Sequence, residues 1–326
     1  MMKLLSLIYG FIVFIRNRLY DLKIKKSIKV DGVEIICIGN IVAGGSGKTP
    51  AVQYFVEKYM KEGKKTGILS RGYKGEREKD PFLVRDENKI LATPSQSGDE
   101  AYLHALNLKV PVVVSRNRVE GAKFLKEKFN VDVIVMDDGF QHRRLVKDKN
   151  IVLIDATNPF GGQEYLPKGR LRESPESLKR ADMLIISKSN YVTEKELNDI
   201  EKKIKKYGKK TLVAIFKEEG FYDTDEEIKP LSEIENKSVL IFSSIANPEV
   251  FYKTIEKLNP KSIKELKFED HHKYTEDEIL NIEKEGKNFN YIITTEKDIV
   301  KINKKVKKLL ILKMKFEIVK NLIYAI

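Results

Sequence analysis

Short, almost wholly apolar runs alternate with longer mixed segments through more than half of the chain. The runs that predict strands are VEIICIG, KTGILS, VPVVVS, VDVIVMDD, NIVLID and DMLIIS. The segments that predict helices are TPAVQYFVEKYMKEG, GDEAYLHALNL, NRVEGAKFLKEKF and the shorter SPESLKRA. Strands that are nearly all apolar and are separated by helices indicate a parallel sheet covered on both faces. The pattern therefore predicts an α/β fold with a mostly parallel sheet.

This alternation changes between about residues 190 and 237, where polar residues become frequent. A charged helix, TEKELNDIEKKIKKYGKK, precedes one strand, TLVAIF, and the polar stretch EEGFYDTDEEIKP. The segment SVLIFSSIANPEVFYKTIEKL then begins another strand-loop-helix unit, which predicts a second, smaller α/β lobe. The predicted organisation is an N-terminal helix at 1–20, a core lobe at 21–210, a linker at 211–235 and a C-terminal α/β lobe at 236–326.

The N-terminal segment Leu4–Ile15 is apolar except for Ser6 and Gly10. It is too short to span a bilayer, which takes about 20 residues. A signal peptide is disfavoured because RNRLYD follows where a small-residue cleavage site would stand. A helix that lies in a membrane surface and a helix that packs on the core both remain open. Basic residues that follow at once favour an anionic membrane surface. They are Arg16, Arg18, Lys23, Lys25 and Lys26.

The composition is that of a soluble globular protein, with 41% apolar and 33% charged residues among 326. Cys37 is the only cysteine, so no disulfide forms within the chain, and the 4 scattered histidines argue against a zinc centre. The net charge is +13, and residues 1–190 hold most of it, with 34 Lys/Arg against 23 Asp/Glu. This surplus suits nucleic acid, an anionic membrane or a phosphorylated substrate, and a lysine-rich source organism explains it equally well.

The segment VAGGSGKT at residues 42–49 connects a predicted strand to a predicted helix and has the character of a phosphate-binding loop. Val42 replaces the first glycine of the pattern G-x-x-x-x-G-K-[ST], but the remaining glycines still let backbone N–H groups converge on phosphate oxygens. The helix adds its positive end, Lys48 would hold the β- and γ-phosphates, and Thr49 would bind Mg²⁺. The predicted ATP-binding residues are Val42, Ala43, Gly44, Gly45, Ser46, Gly47, Lys48 and Thr49.

Two pairs of carboxylates extend this candidate site. Asp137 and Asp138 end the strand VDVIVMDD and so lie at the sheet edge where parallel sheets bind ligands. One of them is expected to hold Mg²⁺, as the Walker-B acid does. Asp99 and Glu100 stand at a predicted helix start, where Asp99 is either an N-terminal cap or the base that accepts the proton of an attacking hydroxyl.

Other polar residues follow predicted strands or fill loops. Arginine directly after a strand suits bidentate phosphate capture, although each such residue is by itself an ordinary surface side chain. The three arginines that follow predicted strands, and the tyrosine beside one of them, are Arg71, Arg116, Arg118 and Tyr73. The segment YLPKGRLRESPESLKRAD is compatible with a plain surface loop, and TTEKD with a helix cap. His271 and His272 are adjacent, so their side chains diverge and do not form a metal pair.

Nine blocks, in order, resemble one family, the tetraacyldisaccharide 4′-kinases, membrane-associated kinases of lipid A synthesis. The blocks are the apolar N-terminus with RNRLYD, GNIVAGGSGKTP, SRGYKG, GDEAYL, SRNRVEGA, DDGFQHR, LPKGRLRE with SLKRAD, DHHKYT and TTEKD. They run from residue 4 to residue 298. The resemblance implies a phosphate-loop core lobe, a smaller lobe that closes over the nucleotide, and ATP and Mg²⁺ as cosubstrates. It further implies phosphoryl transfer to the 4′-hydroxyl of a tetraacylated glucosamine disaccharide 1-phosphate, which gives lipid IVA.

The resemblance also implies roles for individual residues. Lys48 would act on the phosphates, and Asp99 would be the catalytic base. A histidine of the second lobe would tune that base, with His271 as the first choice and His272 as the alternative. The implied metal ligands are Thr49, Asp137 and Asp138. The remaining implied site residues are Arg71, Tyr73, Glu100, Arg116, Arg118, Gln141 and Glu173.

The implied substrate bears on the partners of the chain. Each CH₂ of an acyl chain gains about 0.8 kcal/mol by staying buried, so the enzyme is expected to meet its glycolipid in the bilayer. The resemblance therefore implies a peripheral or monotopic protein on the cytoplasmic face of the inner membrane, with its basic residues towards anionic lipid. Neither nucleic acid nor an obligate protein partner is expected.

Two other functions stay open. A membrane-attached regulatory or assembly ATPase would use the same loop, but ATPases that partition DNA or site division proteins usually carry a lysine where this chain has Ala43. A nucleotide-dependent nucleic-acid protein is suggested by the charge. Against it, the sequence holds no aromatic RNA platform or helix-turn-helix, and its N-terminus is apolar.

Overall fold

The structure is a computed structural model that describes residues 2–77, 79–223, 227–245, 248–270, 272–302 and 304–322. The described residues divide into two compact units. The larger unit contains those up to Phe216 together with those from Phe316 onward, and the smaller unit is Lys217–Lys315. Two long strands, β8 (Lys210–Tyr222) and β13 (Leu309–Leu322), each contribute residues to both units. The domain boundaries that the sequence suggests at 20, 210 and 235 stay predictions.

The larger unit begins with helix α1 (Met2–Asp21) and then alternates strands with helices. Its further strands are β1 (Glu34–Asn40), β2 (Thr66–Ser70), β3 (Phe82–Arg85), β4 (Val112–Val114), β5 (Val133–Asp137), β6 (Lys149–Asp155) and β7 (Met183–Ser187). Its further α-helices are α2 (Lys48–Lys61), α3 (Pro94–Ser97), α4 (Asp99–Asn107), α5 (Arg118–Phe129) and α6 (Glu194–Lys205). Short 3₁₀ helices form at Gly161–Gln163, Pro175–Arg180 and Ser189–Tyr191.

The sheet of the larger unit has the strand order β8-β7-β6-β1-β5-β2-β4-β3. Neighbouring strands are parallel, except that the edge strand β3 is antiparallel to β4. Strand β1 is central, and Cys37 pairs with Met136 of β5 on one side and with Asn150 of β6 on the other. Strands β2, β4 and β5 bury every residue, which shows that both faces of the sheet are covered there. The predicted α/β fold with a mostly parallel sheet is confirmed.

Each covering helix packs through one apolar stripe. Helix α2 buries five positions spaced along one face, and each of the Val and Phe side chains among them contributes about 1.5–3 kcal/mol through its burial. These residues are Ala51, Val52, Phe55, Val56 and Tyr59. In the sheet below, burial raises the pKa of the Cys37 thiol to about 11, so this cysteine is an inert core residue at neutral pH.

Helix α1 has two unlike faces. It buries only Ser6, Gly10 and Val13 against the rest of the larger unit. Its large apolar side chains are exposed, and they are Met2, Leu4, Leu5, Leu7, Ile8, Phe11, Ile12, Phe14 and Ile15. None of the described helices is both long enough and apolar enough to span a membrane.

The smaller unit is a second α/β structure. Its elements are β9 (Ile228–Lys229), β10 (Ser238–Ser243), α7 (Pro248–Glu256), β11 (Ser262–Lys267), α8 (Glu276–Gly286), β12 (Tyr291–Thr295) and α9 (Glu296–Ile299), with parts of β8 and β13. The parallel strands follow the order β11-β10-β12-β13, and β9 pairs antiparallel with β8. Apolar clusters lie on both faces of this sheet and give the smaller unit its own core.

Candidate active site

The phosphate loop joins the end of β1 to the start of α2. Gly47 precedes α2 with a φ of 81°, and a Cβ atom there would come within 2.2 Å of the Phe216 ring. Gly44 has a φ of 122°, which also favours glycine. No described side chain caps the first turn of α2. The backbone N–H groups at this helix start therefore suit phosphate oxygens.

Side chains at the ends of β1 and β7 hold the loop in place. Asn40 Nδ2 donates to Ser46 Oγ at 2.8 Å. Ser187 Oγ donates to the carbonyl oxygen of Ser46 at 3.0 Å, and Lys188 Nζ donates to that of Gly45 at 2.6 Å. Because these bonds come from the rigid sheet, the loop is preorganised for a ligand.

Asp138 lies beside the phosphate-loop lysine. Lys48 is 7% exposed, and its Nζ lies 3.9 Å from Asp138 Oδ1. Arg172 Nη1 donates to both oxygens of the same carboxylate, at 2.8 and 2.7 Å. Burial opposes ionisation of Asp138, but the charges of Lys48, Arg172 and Arg118 outweigh burial and hold its pKa below the ordinary value. Asp138 is therefore an ionised carboxylate at neutral pH.

Asp137, the last residue of β5, is 1% exposed. His104 of α4 is fully buried, with Nε2 3.2 Å from Asp137 Oδ2, whereas Asp137 Oδ1 has no hydrogen-bond partner among the described residues. An unpartnered carboxylate oxygen at such depth fits a cation. Mg²⁺ suits this edge because it is typically bound by one or two carboxylates together with substrate phosphates and waters. In the part of the chain that the structure describes, no group of three His, Cys, Asp or Glu side chains forms a complete metal cage.

Asp99 and Glu100 begin helix α4. The N-cap position belongs to Gly98, so the interpretation of Asp99 as a simple capping residue is not supported. A Cβ atom on Gly98 would lie 2.4 Å from the carbonyl oxygen of Tyr73, so the segment after β2 packs directly on the start of α4. The predicted site residues Tyr73 and Asp99 therefore belong to adjoining segments.

A cluster of cations surrounds His142. Arg118 is 4% exposed, and burial together with Arg71 lowers its pKa to about 10. Burial and the charges of Arg118, Lys147, Arg144 and Arg71 lower the pKa of His142 to about 4, so this imidazole is neutral at pH 7. Within the described residues, neither Arg118 Nε nor His142 Nε2 has a hydrogen-bond partner. The excess of positive charge and unused polar atoms suits an anionic group.

Of two further predicted site residues, Gln141 contacts the end of β1 and Arg116 does not contact the site through its side chain. Gln141 Nε2 donates to the carbonyl oxygen of Asn40 at 2.8 Å, which ties the loop after β5 to the end of β1. Arg116 has an exposed side chain, and its backbone N–H donates to Asp80 at 2.9 Å. The structure thus places Gln141 against the phosphate loop and leaves the Arg116 side chain in solvent.

Glu173, another predicted site residue, is fully buried. One carboxylate oxygen accepts from Arg16 at 2.5 Å, and the other accepts from Arg180. Both oxygens are therefore committed to internal ion pairs.

The histidine block belongs to the smaller unit. His271 lies outside the described residues. His272 Nε2 lies 2.9 Å from Glu278 Oε2, and its ring stacks on Phe268 with centroids 5.1 Å apart. The expected pairing of Asp99 with one of these histidines stays a prediction.

Sequence reasoning assigned no function to three residues that the structure brings to the site. Arg172 lies in a segment that the pattern treats as a surface loop. His104 is one residue of an ordinary amphipathic helix, and nothing in its spacing marks it. Lys188 follows β7 and also reaches Asp155 Oδ2, at 2.6 Å. Its position directly after a strand is the same sequence signal that indicates Arg71 as a site residue.

A glycine-rich loop between a central strand and a helix, with its lysine facing the carboxylate that follows the neighbouring strand, defines a phosphate-loop nucleotide-binding protein. The family model described as LpxK, tetraacyldisaccharide-1-P 4′-kinase, matches residues 1–326. The chain therefore belongs to the tetraacyldisaccharide 4′-kinase family, and it is a kinase with ATP as its phosphoryl donor and Mg²⁺ as the expected ion.

Individual relatives agree with this membership. The chain is 34% identical over 320 residues to a tetraacyldisaccharide 4′-kinase of Halothermothrix orenii, covering 93% of this chain and 83% of the relative. It is 36% identical over 302 residues to that of Bdellovibrio bacteriovorus, covering 91% and 88%. A crystal structure of LpxK from Aquifex aeolicus in complex with ATP superposes with a TM-score of 0.76 at 29% identity, covering 97% of this chain and 93% of that chain. The family inferred from the sequence blocks is confirmed.

Proposed function

We propose that the chain transfers the γ-phosphoryl group of ATP to the 4′-hydroxyl of a tetraacylated glucosamine disaccharide 1-phosphate at a membrane surface. The observation that carries the proposal is the phosphate loop with Lys48 3.9 Å from the Asp138 carboxylate, in a chain of this kinase family. The acceptor follows from the activity in the family description. The product is a 1,4′-bisphosphorylated glycolipid, an intermediate of lipid A biosynthesis.

The nucleotide end of the reaction is assigned to the phosphate loop. Backbone N–H groups at the start of α2 and the Lys48 ammonium bind the β- and γ-phosphates and compensate charge as the bond to the leaving oxygen lengthens. Thr49, Asp137 and Asp138 would hold Mg²⁺, which supplies further charge compensation on the phosphate oxygens when bound. Arg172 keeps Asp138 ionised and His104 orients Asp137.

The acceptor end is assigned to Asp99. As the 4′-oxygen forms its bond to the γ-phosphorus, the hydroxyl proton passes to the Asp99 carboxylate and the β–γ bridging oxygen leaves with ADP. Helix α4 carries both Asp99 and His104, and the contact of His104 with Asp137 anchors this helix at the metal edge. The cations around His142 are assigned to the phosphorylated sugar.

Helix α1 is assigned to the membrane surface. Its exposed Leu, Ile and Phe side chains form an apolar face, and basic residues lie in its last turns and directly after it. Such a helix buries its apolar face at the headgroup boundary while its cations meet anionic lipid. We place the protein peripherally on the cytoplasmic face of the inner membrane, where ATP is available.

The acceptor assignment is tested by following ³²P from labelled ATP into chloroform-extractable glycolipid, with Mg²⁺ and the acylated disaccharide 1-phosphate in detergent. Label is expected in a lipid with one additional phosphate, at the 4′ position of the distal sugar. An Asp99→Asn protein is expected to bind ATP normally and to lose most of this labelling. ATP consumption at an unchanged rate without labelled lipid would contradict the proposal and favour a regulatory ATPase.

The membrane assignment is tested with a double variant, Leu7→Ser with Phe11→Ser, which makes the exposed face polar and keeps the buried residues of α1. Binding to vesicles with anionic lipid should fall, whereas affinity for ATP should not change. Leu280→Ser, at an apolar position of the smaller unit that is 49% exposed, is the control and should bind vesicles like the unmodified chain. Unchanged vesicle binding by the double variant would assign α1 to the folded core alone.

A further inference from the structure

The segment formed by residues 165–173, here called the bridging segment, contacts both helix α1 and the phosphate loop. On the α1 side, Ser6 Oγ donates to the carbonyl oxygen of Tyr165 at 2.8 Å and accepts from the N–H of Lys168 at 3.0 Å. Gly10 lets the Tyr165 ring pack on the helix, because a Cβ atom at Gly10 would lie 2.7 Å from that ring. The buried face of α1 is thus fitted to this one segment.

The other side of the bridging segment pairs with the start of the phosphate loop through a single antiparallel β-bridge between Leu171 and Val42. The N–H of Ala43 donates to the carbonyl oxygen of Arg170 at 2.7 Å. The N–H of Arg172 donates to the carbonyl oxygen of Ile41 at 2.8 Å. Any shift of the bridging segment is therefore transmitted to the backbone that begins the phosphate loop.

Two consecutive residues of the bridging segment connect α1 with the metal edge. Arg172 donates to both oxygens of Asp138, and its own carbonyl oxygen accepts from Tyr9 Oη of α1 at 3.3 Å. Glu173 accepts from Arg16 of α1 and from Arg180. A fully buried carboxylate tolerates the loss of a guanidinium partner poorly, because its charge is then left uncompensated. The Arg16–Glu173 pair therefore locks α1 to the residue next to Arg172.

We propose that helix α1 is a positioning element of the active site as well as a surface anchor. Through the Arg16–Glu173 pair it fixes the bridging segment, and the segment fixes Arg172 against Asp138. Glu173 is accordingly a positioning residue, and a chain with its α1 contacts loosened has a displaced Asp138 even when no membrane is present. This inference rests on the proposed function, in which Asp138 lies at the Mg²⁺-nucleotide edge.

The first test removes the membrane from the assay. The acceptor is the glucosamine disaccharide 1-phosphate without acyl chains, in solution and free of detergent. Arg16→Ala is expected to lower kcat by roughly tenfold, the lower end of the range for outer-sphere partners of metal ligands, and to change KM for the acceptor by less than a factor of about three. Lys3→Ala, which removes an exposed charge from the other end of α1, should leave both constants unchanged. Equal kcat for Arg16→Ala and Lys3→Ala would overturn the proposal.

A second measurement does not use catalysis. The dissociation constant of ATP is measured by calorimetry with and without Mg²⁺, and the ratio reports how well the carboxylates are placed for the ion. Arg16→Ala and Glu173→Gln should lower this ratio, whereas Glu176→Gln, the same exchange at an exposed surface pair, should not. A ratio equal to that of the unmodified chain in both variants would overturn the proposal. Since this readout needs no acceptor, it remains decisive even if the proposed acceptor is wrong.

A double-mutant cycle separates positioning from general destabilisation. If Arg16 acts through Arg172, the protein with both Arg16→Ala and Arg172→Ala should show the kcat of Arg172→Ala alone, because contacts in one network are not additive. Multiplication of the two single effects would contradict the proposed route. Thermal unfolding of each variant is followed in parallel. If Arg16→Ala does not fold, Arg16→Lys, which keeps the charge and loses the fork geometry, takes its place in the cycle, with the same two outcomes.

Discussion

Both units carry a buried aspartate close to the carboxyl ends of their parallel strands, but the surroundings of these aspartates differ. In the larger unit, Asp137 Oδ1 has no partner among the described residues. Asn40 Oδ1, at the end of the neighbouring strand β1, and His142 Nε2, in the loop after β5, are also unpartnered within that part of the chain. This edge of the sheet therefore has buried polar atoms that a ligand could bind.

In the smaller unit, both carboxylate oxygens of the buried Asp298 have hydrogen-bond partners. Asp298 Oδ1 accepts from the N–H and Oγ of Ser244, at 3.1 and 2.5 Å, and from Tyr274 Oη at 3.1 Å. Lys301 Nζ lies 3.3 Å from the same oxygen, and Thr295 Oγ1 donates to Oδ2 at 2.7 Å. Burial and the Asp298 charge raise the pKa of Tyr274, so its hydroxyl stays a donor at any physiological pH.

The difference shows how a structural carboxylate is distinguished from one that awaits a ligand. A fully hydrogen-bonded polar network makes a fold more rigid and leaves nothing for a ligand to satisfy. Unpartnered buried atoms are costly, and they are tolerated where a substrate or ion completes them. The aspartate of the TTEKD block is therefore a structural residue of the smaller unit, whereas the DDGFQHR block of the larger unit leaves buried polar atoms available for a ligand.

The largest effect is expected from Asp298→Ala. The substitution removes the carboxylate that accepts from Lys301, whose side chain is 6% exposed, and from the buried Tyr274 hydroxyl, and it leaves the Lys301 ammonium with only the neutral Ser244 hydroxyl at 2.7 Å. We expect the free energy of unfolding to fall by about 3–5 kcal/mol, the usual range for breaking a buried charge pair. Urea unfolding measures the loss, with the exposed Asp277→Ala in α8 as the control, expected below about 1 kcal/mol. Similar losses in both proteins would remove the contrast between the two edges.

At the other edge, Lys48→Ala should act on catalysis and hardly on stability. Removing the cation that we assign to the transferred phosphate should lower kcat by about 10²–10³-fold. The measurement is labelled phosphate transfer at saturating ATP, together with thermal unfolding. Lys58→Ala, which breaks an exposed pair with Glu62 on the same helix, provides the comparison and should keep full activity. Retained activity in Lys48→Ala would mean that the phosphate loop is not the catalytic centre.

A smaller effect sharpens the assignment of Asp137. His104→Leu removes the N–H donor that orients this carboxylate, so the Mg²⁺ concentration for half-maximal activity should rise by roughly 10–100-fold. His104→Gln keeps a donor and should lose less. The affinity for ATP in the absence of Mg²⁺ should be the same in both variants. A Mg²⁺ requirement that does not move would assign the His104–Asp137 contact to packing alone.

The smallest effect concerns pH. The pKa of His142 is about 4 in the folded chain and near 6.5 when unfolded, so the unfolded state binds more protons between these values. The free energy of unfolding should therefore rise with pH across this window. The contribution of His142 should reach its full value above about pH 6.5. His142→Asn should flatten the dependence of Tm on pH between 5 and 7. An unchanged slope would show that the cations around His142 do not disfavour its protonation.

Some features of this protein can be inferred from its sequence alone. The alternation of apolar runs and helices indicates the parallel α/β fold, and the glycine-rich loop with Lys48 and Thr49 indicates a nucleotide-phosphate site, because both depend on residues that are neighbours in sequence. The family, the fold class and the kinase activity inferred in this way are confirmed. The roles of the individual site residues stay predictions.

The sequence alone does not predict which distant segments come into contact. Arg172 lies 34 residues from Asp138, and Glu173 lies 157 residues from Arg16. Which polar side chain meets which partner is set by the crossover connections of the sheet and by packing, since an arginine in a loop has the same local pattern whether it is solvated or buried in an ion pair. Local patterning alone thus determined the elements and the phosphate loop. Tertiary structure decided which carboxylates are saturated, which remain available, and that helix α1 is tied to the active-site edge.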